Sequence, residues 1–582
     1  MIRRVLHFAA MRPVLALFCA LFLCLTTGCS PKTNPSADAA DFVLRNARVY
    51  TVDARLPWAQ AVAIRGDRVA WVGDDGDAAR YIGPATHVIN AGGKMVLPGF
   101  IDSHFHVRLG SNPDVLRFQN ANTLADLQKQ VREFAEKRPE LKWIEGENWN
   151  YSVFPNGTLP SARDLEGLTD GRPAFLVAYD YHTIWMNREA LREFGIDKKT
   201  TKILFAEKIE KDPKTGEPTG VLTGFGSTGL SADSEAELQK HLPSLGPGQV
   251  LAGVQSNMNA AVKAGITTIV DPQSYLEDLA IYSKLKDEDK LPARLQVALF
   301  HRRGTSEATL QQFDEARQRY NDDRLRVAAV KLYIDDVIEP HTAALLEPYA
   351  DRPGTRGELD YPPEEFKQVV ARLDRMKFQV FIHSIGDRGI RTALDAIEYA
   401  EKQNGPRDRR HELVHIECLN EQDIPRFKQL GVTACMQPRH CAPDITGQWA
   451  KAVGPKRWKY AWAFRSLHDS GANLAFASDW NVAEMEPLIG IYTAITRKGL
   501  DGKPEGGWVP EQTIDLETAI RGYTINGAYA NFVEGNRGSI TPGKYADLVM
   551  VSDDLFKIPV DKIKDAKVVW TMVGAKEVWK QP

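Results

Sequence analysis

The middle of the chain alternates apolar segments of strand length with stretches of helical periodicity. In residues 363–377 and 389–403, apolar side chains recur at spacings of three and four, as on one face of a helix. The apolar segments themselves are nearly continuous, which is typical of strands covered on both faces. They number eight: residues 99–107, 265–271, 293–300, 326–335, 378–384, 412–418, 431–437 and 473–479. Eight such strands alternating with helices predict an α/β fold of the (β/α)8 TIM-barrel type.

The two ends of the chain have a different pattern, in which apolar and polar positions alternate around short turns. Residues 59–73 and 567–580 each look like a hairpin with a glycine in its turn. Because a lone hairpin is barely stable, we expect the two ends to share one structure. The pattern predicts a small β-sandwich domain built from residues 41–97 and 537–582, with the barrel at 98–536.

A long stretch separates the first predicted barrel strand from the second. This stretch, about residues 110–250, contains a further apolar run at 174–180 and a turn-rich segment at 211–220. Insertions of this length are usually functional or form a subdomain. We therefore expect a large insertion after the first barrel strand that covers the mouth of the barrel.

The N-terminus has the features of an export signal. Arg3 and Arg4 precede an apolar run at residues 14–25, which is too short to cross a membrane as a stable helix. Small residues then precede Cys29, and this pattern resembles the lipobox of bacterial lipoproteins. The alternative is a short buried helix with a chance cysteine.

The resemblance to a lipobox implies a division of the first 40 residues. Residues 1–28 would be a lipoprotein signal peptide, and residues 29–40 a tether rich in Pro, Ser and Ala. Lipid on Cys29 would anchor the protein to a membrane of the bacterial cell envelope, facing the periplasm or the outside. The export route stays open.

Composition and cysteine content narrow the class of protein. A net charge of −3 offers no basic surface for nucleic acid, so we expect none as a partner. After loss of the signal and lipidation of Cys29, the remaining cysteines are Cys418, Cys435 and Cys441, an odd number that makes no disulfide framework. Pairing of Cys435 with Cys441 stays open.

Potential metal ligands stand at the ends of five predicted strands. His104 and His106 lie two residues apart, so they share one face of the first strand. Each residue alone has an ordinary explanation as core, surface or helix cap. The carboxyl ends of barrel strands meet at one mouth, where they bring together His104, His106, Lys331, His383, His415 and Asp479. Imidazole and carboxylate ligands favour Zn²⁺, with Mn²⁺ or Fe²⁺ as alternatives.

Lys331 interrupts an otherwise apolar strand. A lysine buried without a partner costs several kcal/mol or loses its proton. A neutral buried lysine can take up carbon dioxide and become a carbamate, whose two oxygens are able to bridge two cations. The alternative is that Lys331 pairs with Asp335 or extends out of the strand end.

The order of these residues resembles that of the amidohydrolase superfamily. Within it the chain is similar to the amidohydrolase 3 group, the relatives of N-substituted formamide deformylase, through segments such as "LPGFIDSHFHV", "VKLYIDD", "FIHSIGDRGI" and "ASDW". The resemblance covers nearly all of residues 41–582. Val414 stands where the family usually has an acid, and Asp336 where it usually has a glycine, so the substrate of any one relative is not carried over.

The resemblance implies a metal-bearing barrel with two divalent ions. His104, His106 and Asp479 would hold one ion, His383 and His415 the other, and carboxylated Lys331 would bridge them. A hydroxide shared by the ions would attack the carbonyl carbon of an amide or N-substituted formamide, and the C–N bond would break as Asp479 passes the proton to the leaving nitrogen.

Three further residues are predicted substrate contacts: His182, His440 and Trp480. The expected partner is a small amide-type molecule. The oligomeric state stays open, with a homo-oligomer as one option. Two other functions stay open. One is a mononuclear hydrolase of an ester, lactam or amidine, and the other is a surface lipoprotein that binds a ligand without catalysis.

Overall fold

A computed structural model describes residues 38–582 apart from 111, 113, 119–120, 155–157, 226–231 and 244. The predicted signal peptide, with Cys29 and most of the tether, lies outside these residues. Within them, no helix combines the length and the apolar character needed to cross a membrane. Cys418, Cys435 and Cys441 are buried and form no disulfide.

The centre of the molecule is an eight-stranded parallel sheet curled into a barrel. Its last strand returns to its first, where the N–H of Ser103 donates to the carbonyl of Phe476 at 3.2 Å. The prediction of a TIM-barrel type is therefore confirmed. The barrel strands, first to eighth in chain order, are Phe100–Asp102, Ile266–Ser274, Arg294–Phe300, Leu325–Tyr333, Gln379–Ser384, Glu412–His415, Thr433–Met436 and Asn473–Phe476.

Helices surround this sheet, and their sequences show why they form. In Pro363–Arg375, a proline opens the helix, glutamates occupy the first turn and arginines the last, while Phe366, Val370 and Leu373 are buried. The α-helices from residue 247 onward are Pro247–Lys263, Asp278–Asp287, Glu307–Arg319, Pro363–Arg375, Asp387–Asn404, Ile424–Gln429, Gly447–Val453, Pro455–Trp458, Phe464–Asp469, Pro487–Thr496, Leu516–Gly522 and Ile525–Ala530. Short 3-10 helices are Asp77–Tyr81, Tyr151–Val153, Ala162–Leu165, Glu421–Asp423, Pro438–Cys441, Pro510–Gln512 and Val560–Asp565.

An apolar layer fills the barrel interior below the predicted ligands. Its members come from the second to the seventh strand and from the residue that directly follows the eighth, and they are at most 1% exposed: Val270, Ala298, Ala329, Phe381, Val414, Cys435 and Ala477. Side chains two residues apart share one face of a strand. Lys331, His383 and Asp479 each follow a member of this layer by two residues. They therefore lie above the layer, at the barrel mouth.

Both chain ends contribute to a pair of packed sheets beside the barrel. Strand Leu548–Val551 pairs antiparallel with Met95–Pro98, which joins the C-terminal end to the N-terminal one. Leu44, Val62 and Met572 belong to the apolar cluster between the sheets. One sheet contains Phe42–Arg45, Ala61–Arg65, Arg68–Gly73 and His87–Asn90; the other contains Arg48–Tyr50, Trp58–Ala59, Met95–Pro98, Leu548–Val551, Val568–Val573 and Lys576–Lys580.

The segment after the first barrel strand forms a six-stranded sheet of its own. Its neighbouring strands Ala174–Ala178 and Thr183–Met186 are antiparallel, and the turn between them carries residues 179–182. The remaining strands are Leu116–Arg117, Ile144–Trp149, Lys208–Lys211 and Pro218–Thr223, and the helices are Leu124–Lys137, Arg188–Glu193 and Ala232–His241.

A buried ion pair ties the barrel to the terminal sheets. Nε of Arg294, at the start of the third barrel strand, donates to Asp547 at 2.8 Å, and both side chains are at most 4% exposed. We expect Asp547→Asn to lower the free energy of unfolding by about 3 kcal/mol, because it leaves a buried arginine undercompensated. Chemical denaturation monitored by circular dichroism measures the change.

The pH dependence and a surface pair provide checks on this prediction. Burial alone would raise the pKa of Asp547, but Arg294 outweighs burial and the pKa is lowered, so the stabilisation is complete at neutral pH and is lost on acidification. Asp75, whose pair with Arg45 is about one-third exposed, is the control, and Asp75→Asn is expected to cost less than about 1 kcal/mol. Equal losses in the two variants would contradict a special contribution of the buried pair.

Candidate metal centre and substrate cavity

A cavity of about 370 Å³ opens at the carboxyl ends of the barrel strands. The barrel contributes His106, His383, His415 and Asp479 to its walls, and the inserted sheet contributes the turn at residues 179–182. Ligand sites of TIM barrels lie at this face because the strand ends and the loops after them converge there. The cavity is therefore the candidate functional site.

The ends of the first and eighth strands are joined to each other, which fixes two histidines beside one carboxylate. The N–H of Asp479 donates to the carbonyl of His104 at 2.8 Å, and the N–H of His106 donates to the carbonyl of Trp480 at 3.0 Å. As a result, Nε2 of His106 lies 3.2 Å and Nε2 of His104 lies 3.6 Å from Oδ1 of Asp479. These three side chains are close enough together to hold one metal ion.

A second group shares the same carboxylate from its other side. Nδ1 of His415 lies 3.7 Å and Nε2 of His440 lies 3.9 Å from Oδ2 of Asp479. His383 stands next to this group, with its ring centroid 4.5 Å from that of His415, but its ligand atoms are outside the cluster. The structure therefore brings His440, predicted as a substrate contact, into a position where it can also bind metal.

Lys331 is fully buried between these histidines. Its Nζ lies 3.4 Å from Nε2 of His104 and 4.7 Å from the ring centre of Tyr333, and burial lowers its pKa to about 8. Asp335, considered as a partner from the sequence, instead accepts backbone N–H groups from Ala344, Ile385 and Gly386 at 2.8–3.0 Å. Lys331 thus neither pairs with Asp335 nor extends to solvent.

The protonation states of the cluster suit a cation. Burial lowers the pKa of His104, His383 and His415 well below its usual value, so these imidazoles are neutral and keep a lone pair for a metal. For Asp479, burial acts to raise the pKa, but the hydrogen bond and charge interaction with His106 outweigh it and the pKa is lowered. Neutral imidazoles around an ionised carboxylate are the donor set that Zn²⁺ binds in proteins.

The three predicted substrate contacts take different positions. His182 lines the cavity; burial acts to lower its pKa, but contact of Nδ1 with Asp336 outweighs this and raises the pKa to about 9. His440 also lines the cavity. Trp480 is not among the described residues that line it, and its ring stacks on Phe105 with centroids 6.2 Å apart.

Several residues of the site escaped sequence reasoning. Gln437, at the end of the seventh strand, has its Oε1 3.1 Å from Nδ1 of His415. Glu417 follows His415 by two residues, so the period of a strand could have suggested it. Tyr179 and Glu339 also line the cavity, and their hydroxyl and carboxylate are hydrogen-bonded at 2.7 Å. Both stand in loops, where no periodic pattern marks a residue as inward-facing.

Comparison with known proteins identifies the family. The model of the amidohydrolase family matches residues 87–579, which is most of the chain. The chain belongs to the amidohydrolase family. The prediction from the order of strand-end ligands is confirmed at this level, and the matched range includes every described residue of the cavity walls.

Relatives of this amidohydrolase are similar over nearly their whole length. Protein LONG AFTER FAR-RED 3 of Arabidopsis thaliana is 29% identical over 94% of this chain and 93% of its own. N-substituted formamide deformylase of Arthrobacter pascens is 25% identical over 92% of this chain and 97% of its own. An uncharacterised metal-dependent hydrolase of Pyrococcus horikoshii has the same fold, with a TM-score of 0.68 and 21% identity over 89% of this chain and 99% of its own.

Proposed function

We propose that this amidohydrolase cleaves the C–N bond of an amide or an N-substituted formamide with the help of bound divalent metal. The observation that carries the proposal is the arrangement of His104, His106 and His415 around Asp479 in one cavity of about 370 Å³. The relative named N-substituted formamide deformylase supports the choice of bond. Hydrolysis of such a bond needs an activated water, a proton carrier and a group that stabilises negative charge on the carbonyl oxygen.

The ligands for the metal would come from side chains on the two sides of Asp479. His104, His106 and Asp479 would hold one ion, and His383, His415 and Lys331 as a carbamate would hold a second; Zn²⁺ is the metal that this donor set favours. A bound divalent ion supplies Lewis acidity, which acidifies a water molecule and polarises the carbonyl of the substrate.

Asp479 and His182 have separate roles in the proposed reaction. The carboxylate of Asp479 takes a proton from the attacking water and delivers it to the leaving nitrogen, for which its lowered pKa and central position suit it. Asp336 contacts Nδ1 of His182 and favours the protonated imidazole. The Nε2–H of His182 would then be able to donate a hydrogen bond into the cavity. There it would donate to the carbonyl oxygen as negative charge develops.

Removal of metal tests the proposal most directly. We expect the purified protein to contain divalent metal, and a chelator to abolish hydrolysis of formamides and N-acyl amines until Zn²⁺ is restored. Metal analysis and an amine-release assay before and after dialysis against chelator measure both quantities. A metal-free protein, or turnover that survives complete removal of metal, would exclude the proposed mechanism.

Stoichiometry discriminates between two ions and one. About two ions per chain, with the mass of one carbon dioxide added to Lys331, agree with the proposed pair. About one ion per chain with unmodified Lys331 would favour the mononuclear hydrolase of an ester, lactam or amidine. A substrate panel containing these classes, tested on the same metal-loaded sample, then separates the reactions.

A further inference from the structure

Two carboxyl groups of the cavity wall have no lysine or arginine beside them among the described residues. Glu339 and Glu417 are 8% and 6% exposed, and both line the cavity. Glu339 accepts a hydrogen bond from the neutral hydroxyl of Tyr179, and burial, reinforced by the charge of Glu417, raises its pKa to about 8. Glu417 lies 3.7 Å from Nδ1 of His440. Among the described residues, neither carboxyl has the lysine or arginine partner that normally compensates a buried charge.

The positive groups of the cavity are already neutralised elsewhere. Arg108 is the one arginine among its described lining residues, and its guanidinium donates to Asp278 at 2.6 Å. His182 is held on Asp336. No lysine belongs to the described lining. The wall formed by Glu339 and Glu417 therefore presents two acidic side chains without a lysine or arginine of the described lining beside them, and a bound cation would stabilise the ionised form of both.

An indole on the same wall gives a second, independent sign of a ligand. The backbone N–H of Trp462 donates to the carbonyl of Glu417 at 3.0 Å, which fixes the two residues side by side. Trp462 is 1% exposed and lines the cavity, yet its Nε1–H has no acceptor among the described residues. A buried donor without a partner is costly unless a ligand or water accepts from it. The rings of Trp462 and Tyr179 also offer faces that attract cations.

We propose that the substrate carries a positively charged nitrogen group, an ammonium or guanidinium, that binds at Glu339 and Glu417 against these aromatic rings. The inference rests on the proposed hydrolysis and names the class of molecule that the site selects. Glu417 contacts His440 at 3.7 Å, and His440 approaches Asp479 at 3.9 Å. A short linker in the substrate would therefore join its cationic group to the bond that is cleaved. Amides or formamides of a diamine or of another compound with a second basic nitrogen have this form.

A pair of substrates of equal size tests the subsite. N-formylputrescine ends in an ammonium and N-formylpentylamine ends in a methyl group, and the two are otherwise alike. For the metal-loaded protein we expect kcat/KM to be roughly 10- to 100-fold higher for the cationic compound, because a desolvated charge pair is lost with the neutral one. Glu339→Gln should reduce this ratio to less than about threefold, whereas Glu339→Asp, which keeps the charge, should retain a clear preference.

The controls separate failure of the subsite from failure of the proposed reaction. Glu505→Gln, at an exposed position, should keep the full preference. Equal kcat/KM for the two compounds, or an unchanged ratio in Glu339→Gln, would overturn the subsite while leaving hydrolysis in place. If neither compound is hydrolysed, the proposed function fails, and calorimetric binding of the same two compounds still decides the subsite. Tighter binding of the cation that Glu339→Gln removes would support it, and equal binding would overturn it.

Discussion

Replacing Asp479 by Asn should lower kcat/KM by roughly 10²- to 10⁴-fold, the range for loss of a general acid–base group. The carboxylate is 5% exposed and lies 3.2 Å from His106 and 3.7 Å from His415, so it stands between both histidines and can exchange a proton there. Asparagine keeps the shape and an oxygen for a metal but cannot carry the proton. Steady-state hydrolysis of the best formamide, with metal content measured on the same sample, checks the result.

Two comparisons make the Asp479 result interpretable. Asp469→Asn, at an exposed position on helix Phe464–Asp469, should leave kcat/KM within about twofold. If Asp479→Asn retains full turnover, another residue moves the proton. If the unaltered protein binds ligand but never turns it over, and Asp479→Asn binds equally well, the chain is a binding protein and not an enzyme.

Replacing Lys331 by Ala should abolish turnover and reduce bound metal from about two ions per chain to about one. The side chain is fully buried among His104 and Tyr333, and burial lowers its pKa to about 8, so a sizeable fraction of the amine is neutral near physiological pH. Only the neutral amine can take up carbon dioxide. Mass spectrometry of the native protein and metal analysis of the variant measure the two parts of this prediction.

Rescue experiments distinguish a bridging carbamate from a merely structural lysine. Alanine leaves space beside His104, so added acetate or formate should restore part of the metal binding and turnover of Lys331→Ala. Lys377→Ala, at an exposed position, is the control and should behave as the unaltered protein does. Full activity of Lys331→Ala, or an unmodified lysine in a protein with about two ions, would rule out the carbamate.

The barrel was predictable because its physical causes are local. A strand covered on both faces must be apolar at nearly every position, so Ile266–Ser274 and Leu325–Tyr333 stand out from the helices between them. Polar residues at the ends of such strands conflict with this pattern, which is why Lys331, His383 and Asp479 could be selected without a structure. The period of two along a strand predicted in the same way that His104 and His106 share one face.

The role of His440 and the cavity wall could not be predicted in the same way. His440 lies in the short helix Pro438–Cys441 after the seventh strand, and only the closure of the barrel brings its Nε2 to 3.9 Å from Asp479. Trp480, beside that aspartate in sequence, instead packs on Phe105. These two neighbours in sequence therefore have different surroundings, and the backbone at Asp479 has a left-handed conformation with φ of 60°.

By itself, the sequence determined the alternation of strands and helices and the chemical type of side chain at each strand end, since both follow from burial of the local segment. Tertiary structure alone decided which of these side chains meet. It brought Tyr179 from the inserted sheet to Glu339 and set Glu417 beside Trp462, through contacts between segments far apart in the chain. The sequence of a loop has no periodic pattern that shows which way its side chains point. The charge and shape of the substrate cavity are therefore set only when the barrel closes and the inserted sheet packs over its mouth.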